Sequence, residues 1–357
     1  MRLILGNAIV RRIGLPTLLL AIVAGCSSKG GAGGSGGGSG TSSEIKSGAT
    51  VTVDGSSTVF PVAEAVAEDF MKSQNGKVNV TVGIAGTGGG FKRFVRGELD
   101  VANASRPISA DEMKAAKENG IEYLELPVCF DALTVAVNPK ATWVDSITVA
   151  ELKKIWEPGA QGTITKWNQI RPEWPDKPFV LFGAGTDSGT FDYFTEAVCG
   201  KAKSSRGDFT ASEDDNTLVQ GIEGNEAALG YIPFAYYDSN KAKLKALAID
   251  WEKDTLPATL PSLEAVVSGK YNPLSRPLFI YVNKKSMTDK PHVRAYVDFF
   301  IKNAKPLATE VSYLPLPDKA YEMVLERIKT MKTGTAFGGV PEVGLPVEDI
   351  LKRDPKS

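Results

Sequence analysis

Gly183-Ala184-Gly185-Thr186-Asp187-Ser188-Gly189-Thr190-Phe191-Asp192-Tyr193-Phe194 follows the apolar, strand-like run Phe179-Val180-Leu181-Phe182. It opens a helical pattern in which Phe191, Phe194 and Val198 fall on one face. Glycine lets the backbone turn sharply and approach a ligand closely. Ser188 and Thr190 add hydroxyls, and the first N–H groups of a helix have no partner inside it. Free N–H donors and hydroxyls at the positive end of a helix dipole suit an anion. A single such turn also serves as an ordinary helix cap.

The arrangement recurs twice upstream. Asp54-Gly55-Ser56-Ser57-Thr58-Val59-Phe60-Pro61 precedes a helix with Val62, Val66 and Phe70 on one face, and Pro61 suits its first turn. Gly83-Ile84-Ala85-Gly86-Thr87-Gly88-Gly89-Gly90 precedes Phe91, Phe94 and Val95. We refer to these as loops 1 and 2, and to Gly183–Thr190 as loop 3. The conjunction of three Gly/Ser/Thr-rich loops, each feeding a helix, points to one small oxyanion held between them.

The chain has 357 residues, which calls for more than one core. Its 42% apolar and 23% charged residues are those of an ordinary globular protein, and the formal net charge is −1. Without residues 1–25 the balance is −4, with no dense basic run, which gives no support for nucleic-acid binding.

The N-terminus reads as a targeting signal. Arg2, Arg11 and Arg12 precede the apolar stretch Ile13–Val23, too short to span a bilayer, which ends in Val23-Ala24-Gly25-Cys26. Small residues before Cys26 resemble a bacterial lipobox, so residues 1–25 are expected to be a lipoprotein signal peptide and Cys26 the lipidated residue. Ser27–Gly48 is mostly Gly and Ser, a tether of about 25–28 Å as a flexible coil. Cys129 and Cys199 lie in separate elements; two free, buried thiols is the expectation, with pairing left open.

From Thr50 onward short β-like runs alternate with helical patterns, the mark of α/β layers. Strands are expected at 51–53, 78–84, 99–108, 124–128, 132–138, 179–182, 229–233, 247–249 and 278–282. Helices are expected at 62–71, 111–119, 149–156, 217–225, 293–302 and 318–331. The Pro- and Gly-rich tail from Gly338 is expected to lie along the surface. These elements imply two lobes, the second inserted into the first, with crossings near Phe130–Leu133 and Ser275–Phe279 and a central cleft between strand and helix ends.

Five segments then resemble one family in order: Asp54–Pro61, Gly86–Phe94, Ala104-Ser105-Arg106-Pro107-Ile108, Gly185–Phe191 and Pro273-Leu274-Ser275-Arg276-Pro277-Leu278. They are similar to the phosphate-binding proteins of bacterial ABC transporters made under phosphate starvation, most of all the cyanobacterial branch. The resemblance implies a type II periplasmic-binding-protein fold that closes on phosphate, works without a cofactor, and delivers its cargo to permease subunits. It implies lobe one at 49–131 and 278–340, lobe two at 132–277, and a tail at 341–357. A monomer outside the cytoplasm, held to a membrane by Cys26 in periplasm or at the cell surface, is the expected form.

Carried over by position, the resemblance implies phosphate contacts at Ser57, Thr58, Val59, Phe60, Thr87, Gly88, Ser105, Arg106, Ser188, Gly189 and Thr190. Val59 lacks the hydroxyl usual there, so Ser57 or Thr58 is expected to supply one. Ser105-Arg106 replaces the family's Ser-Asp, and Ala184 replaces an arginine, so the site arginine is expected to have moved to Arg106. Asp187, with Asp54 second, is then expected to accept the phosphate proton.

Other chemistries fit poorly. Gly185–Gly189 superficially resembles a serine-protease motif, but the sole histidine, His292, follows it in the chain. Loop 2 lacks the Gly-Lys-Ser/Thr of a nucleotide loop. A metal site is not expected from one histidine and no Cys-x-x-Cys. Sulfate as the ligand, a phosphate sensor, and an extracytoplasmic phosphatase stay as alternatives.

Overall fold

The computed structural model describes residues 45–356 except Asp187, Glu213, Pro341 and Val343. The expected signal peptide, Cys26, most of the expected tether and Asp187 therefore lie outside the described residues. The first part of the body runs β1 (Ala49–Gly55), α1 (Phe60–Ser73), β2 (Val78–Val82), α2 (Thr87–Phe94), β3 (Val101–Ala104), α3 (Ala110–Glu118) and β4 (Tyr123–Val137). Next come β5 (Ser146–Thr148), α4 (Val149–Trp156), β6 (Val180–Ala184), α5 (Gly189–Cys199), β7 (Thr210–Ser212), α6 (Asp215–Gly224), β8 (Ala228–Pro233) and α7 (Phe234–Ser239). After β9 (Lys245–Ala246), β10 (Ala248–Asp250) and α8 (Leu263–Val267) the chain returns through β11 (Ser275–Asn283) and α9 (Lys284–Asp289). It closes with α10 (Pro291–Glu310), β12 (Leu314–Pro315), α11 (Asp318–Lys329) and α12 (Val347–Lys352).

The main sheet has the order β2-β1-β3-β11-β4-β8-β6-β7. β1 runs parallel to β2 and β3, and β6 runs parallel to β7 and β8. Between these halves β11 and β4 pair antiparallel over Ser275–Asn283 and Tyr123–Ala132. β4 then changes partner, pairing Leu133–Val137 with β8. Two expected strands, 124–128 and 132–138, are thus one, buried along its whole length. Between them Asp131 is paired in register with Arg276 on β11, Oδ2 to Nε 3.7 Å, and the opposite charge lets the strand continue.

Each half is a layered sandwich. In the first, Val62, Val66 and Phe70 of α1 are buried, and the Phe70 ring meets Tyr296 of α10 edge-on at 5.4 Å. On the opposite face Phe91 of α2 meets Tyr281 of β11 at 4.8 Å. In the second half Phe194 of α5 stacks on Tyr231 of β8 at 3.7 Å, and Trp156 meets both rings edge-on. Phe191 and Val198 are buried beside it, as the spacing predicts.

Two expectations change. Cys129 and Cys199 are both free, but only Cys129 is buried, and Cys199 is half-buried. The tail does not simply lie along the surface. Phe337 and Ile350 join a buried cluster with Phe91, Phe279 and Tyr281, and Arg327 of α11 donates to the carbonyls of Ile350 and Leu351 at 2.9 Å. Glu125 of β4, fully buried, fixes this connection by accepting from Thr335 Oγ1, from Tyr281 Oη and from the Ala336 N–H. Among the described residues no helix is long and apolar enough to cross a membrane.

Candidate functional site

Loop 1 carries β1 into α1. The Ser56 N–H donates to the Asn103 carbonyl at 3.0 Å, which ties the loop to β3. Among the described residues, the next three N–H groups, of Ser57, Thr58 and Val59, find no acceptor, and α1 has no side-chain cap. They form the positive end of a 14-residue helix with Pro61 in its first turn. The Val59 side chain is fully buried, so this position offers only its N–H. Thr58 is buried too; its carbonyl accepts from Tyr313 Oη at 2.6 Å and its Oγ1 from Arg276 Nη2 at 3.4 Å. Ser57 Oγ donates to Asp192 Oδ2 at 3.3 Å, linking loop 1 to the helix after loop 3.

Loop 2 is organised by Asp54. Its Oδ1 accepts from the N–H groups of Gly55 (2.7 Å) and Ala85 (2.9 Å), and its Oδ2 takes a charge-assisted bond from Arg93 Nη1. Helix α2 begins at Thr87 without a side-chain cap, so its first-turn N–H groups are also free of intrahelical partners. Loops 1 and 2 touch through glycines: a Cβ on Gly90 would come within 2.6 Å of the Gly55 Cα. Thr87 Oγ1 lies 3.0 Å from Ser105 Oγ and accepts from the Ser105 N–H at 3.2 Å.

Loop 3 caps its own helix, Ser188 Oγ accepting from the Thr190 N–H at 3.2 Å. Gly189 lies directly on loop 1, where a Cβ would be 2.7 Å from the Thr58 Cα and 3.2 Å from Thr58 Oγ1. The three helix N-termini expected from the sequence therefore meet, with loop 1 in contact with both others.

The expected residues do not all line one cavity. Ser57 and Phe60 share one with Ser188, Gly189 and Thr190. Ser105 and Arg106 line another, together with Arg276, Tyr193 and Phe337. Thr58, Val59, Thr87 and Gly88 line neither of these.

Arg106 is engaged elsewhere. Its two terminal nitrogens donate to Glu112 at 2.8 and 2.9 Å, Nη1 also to the Pro107 carbonyl, and the guanidinium sits over Phe91. Burial pushes the Glu112 carboxyl up, but the bonds from Arg106 and from the Ser109 N–H outweigh it and leave it below its ordinary range. Ser109-x-x-Glu112 is a capping box, a signal present in the sequence that was not connected with Arg106.

Sequence reasoning also missed Arg276, Asp192 and Arg93. Arg276 lay inside a quoted segment, but strand spacing does not say which loop its long side chain reaches. Asp192 is raised by burial, against the pull of Lys203 and Ser57.

The PBP superfamily domain is matched over residues 38–304. The chain belongs to the PBP superfamily. This PBP-superfamily chain is 52% identical over 306 residues to protein SphX of Synechococcus elongatus, covering 86% of this chain and 89% of that one. It is 36% identical over 270 residues to the phosphate-binding protein PstS of Staphylococcus saprophyticus, covering 75% and 81%. Among solved structures it resembles a possible phosphate binding protein from Planctomyces limnophilus, 45% identical with a TM-score of 0.77, covering 80% of this chain and 99% of that one. The two sheet halves joined by β4 and β11 are the two lobes of this fold class. Loops 1 and 2 belong to one lobe of this PBP-superfamily protein and loop 3 to the other.

Proposed function

We propose that the protein captures inorganic phosphate between its lobes, outside the cytoplasm, and hands it to the permease subunits of an ABC transporter. The observation that carries this reading is the meeting of three helix N-termini, with Gly90 on Gly55 and Gly189 on Thr58. The free N–H groups of loops 1 and 2, the first turn of α5 and the hydroxyls of Ser57, Thr87, Ser105, Ser188 and Thr190 are donors that suit an oxyanion stripped of water. The relatives named for phosphate binding support phosphate as that anion. Phe60, Thr58, Val59, Gly88 and Gly189 act through their backbone.

Cys26 is proposed to carry the lipid that holds this monomer at a membrane, and Cys26→Ser is expected to release it. Capture without chemical conversion is proposed, since among the described residues no histidine or cysteine belongs to the loops to activate a nucleophile. Isothermal titration of the chain from residue 26 onward with phosphate and with sulfate, beside a phosphatase assay, tests the reading. Micromolar or tighter phosphate binding, about −8 kcal/mol or better, is expected. Preference for sulfate, or turnover of a phosphomonoester, would replace it.

A further inference from the structure

We infer that Arg276, and not Arg106, supplies the guanidinium that meets the anion; the inference rests on the phosphate reading above. The two arginines differ in what they have left to give. Both terminal nitrogens of Arg106 are held by Glu112, whose own place is fixed by the α3 capping box. Releasing Arg106 would strip a half-buried carboxylate of its counter-charge.

Arg276 stands where the two interlobe strands lie side by side, opposite Asp131. Its guanidinium lies 3.6 Å from the Tyr193 ring centroid, which orients it from lobe two. Its Nη2 reaches Thr58 Oγ1 of loop 1 at 3.4 Å, and that same oxygen lies 3.2 Å from where a Cβ on Gly189 would stand. Arg276 therefore ends at the point where loops 1 and 3 meet. A guanidinium carries five N–H donors. Here the Thr58 bond is long, Nε faces Asp131 Oδ2 at 3.7 Å, beyond hydrogen-bond distance, and Nη1 is turned to Glu196, a half-exposed residue, at 3.1 Å. Its terminal nitrogens are thus only weakly engaged, and an anion between loops 1 and 3 is a stronger acceptor for them than Thr58 Oγ1. The bond to Glu196 is partly screened by solvent and is the one the anion displaces.

The test is phosphate titration of the mature chain and four variants, with thermal unfolding recorded in the absence of phosphate. Arg276→Gln is expected to weaken binding roughly ten- to hundredfold, the range for hydrogen bonds to a charged group. Arg276→Lys should recover part of this, since it keeps the charge and loses the fork. Arg106→Gln should change affinity by less than about fivefold, and Glu196→Gln should tighten it about two- to threefold by freeing Nη1. Where Arg276→Gln fails to fold, Arg276→Lys decides, and parental affinity in that variant overturns the inference. It is also overturned if Arg276→Gln shifts only the unfolding temperature, or if Glu196→Gln weakens binding as a purely structural latch requires. A parent chain that binds no phosphate overturns the functional reading itself, a result distinct from a binding parent with an indifferent Arg276→Gln.

Discussion

Gly189 is packed on the backbone of Thr58 so closely that a methyl group there would stand 2.7 Å from the Thr58 Cα. The first residue of α5 and the turn before α1 belong to different lobes, and their separation is set by the absence of one side chain. Gly189 has no positive φ, so alanine meets no backbone strain there and only the approach of the lobes is affected. Gly189→Ala is expected to leave the phosphate-free protein near its parental stability. Overpacking of this kind costs about 1–3 kcal/mol, so phosphate affinity should fall about five- to 150-fold. Titration beside thermal unfolding separates the two; unchanged affinity would show that loops 1 and 3 need not touch to hold the anion.

Ser188 and Thr190 should part company in stability. Ser188 Oγ caps α5 by accepting from the Thr190 N–H, so Ser188→Ala loses a helix cap worth about 1 kcal/mol as well as a ligand hydroxyl. Thr190→Ala loses only the hydroxyl. Both should weaken phosphate binding roughly tenfold or more, while urea unfolding without phosphate shifts for Ser188→Ala alone.

Much of this was legible in the sequence because local rules governed it. The three loops each precede a helix whose apolar spacing is regular, and Phe191, Phe194 and Val198 are buried as that spacing requires. The crossing was legible as a place, between residues 130 and 133, but not as one strand, because the charge of Asp131 is matched only by Arg276, 145 positions away in the chain. Arg106 is a related case. Its place at a strand end was readable, but Glu112, six residues later, takes both of its terminal nitrogens. Long charged side chains choose partners in three dimensions, and spacing carries no record of that choice. The segment leading into the tail is a further case: Thr335 and Ala336, just before Gly338, are held by a glutamate more than 200 residues earlier.

Asp131 should give the fold a measurable pH dependence. Burial raises its carboxyl to about 6, against the opposing pull of Arg276. The folded chain thus keeps this proton up to about pH 6, whereas an unfolded aspartate releases it near 3.9. The contribution is complete below about pH 4, is lost as pH rises through 6, and is flat above. Two pKa units correspond to on the order of 3 kcal/mol. The difference in urea stability between parent and Asp131→Asn should change by that order between pH 4 and 6 and stay level from 7 to 8. A level difference throughout would mean that Arg276 keeps Asp131 charged.

Thr335 tests whether the tail is part of the body. Its hydroxyl donates to Glu125, which is buried at the centre of lobe one. Thr335→Val keeps the shape and removes the donor, which leaves a buried carboxyl short of one bond at a cost of about 1–3 kcal/mol. Urea unfolding measures the loss, and phosphate affinity should stay parental because the bonds of Thr335 go to Glu125, Phe337 and Lys356 and not to the loops. A loss below about 0.5 kcal/mol would show that the segment is only loosely attached.

The choice between phosphate and sulfate should separate Asp54 from Asp187. Hydrogen phosphate carries a proton that sulfate lacks at neutral pH, so a carboxylate with a free oxygen favours phosphate and repels sulfate. Asp54 has little left to offer: Oδ1 accepts two backbone N–H groups, and Oδ2 holds Arg93. Its work is to fix loop 2 against loop 1. Asp54→Asn keeps Oδ1 for the Gly55 and Ala85 N–H groups only by turning its NH2 toward Arg93, which sets donor against donor and leaves Arg93 with Glu98 alone. Both anions should therefore bind more weakly, by a similar factor, and the protein should lose stability. Asp187, proposed from the sequence as the proton acceptor, should behave differently: Asp187→Asn weakens phosphate, spares or improves sulfate, and narrows the ratio between them. Parallel titrations of both variants with both anions give four affinities. A ratio that collapses in Asp54→Asn and holds in Asp187→Asn would reverse the assignment and require that Arg93 leaves Asp54 when the anion arrives.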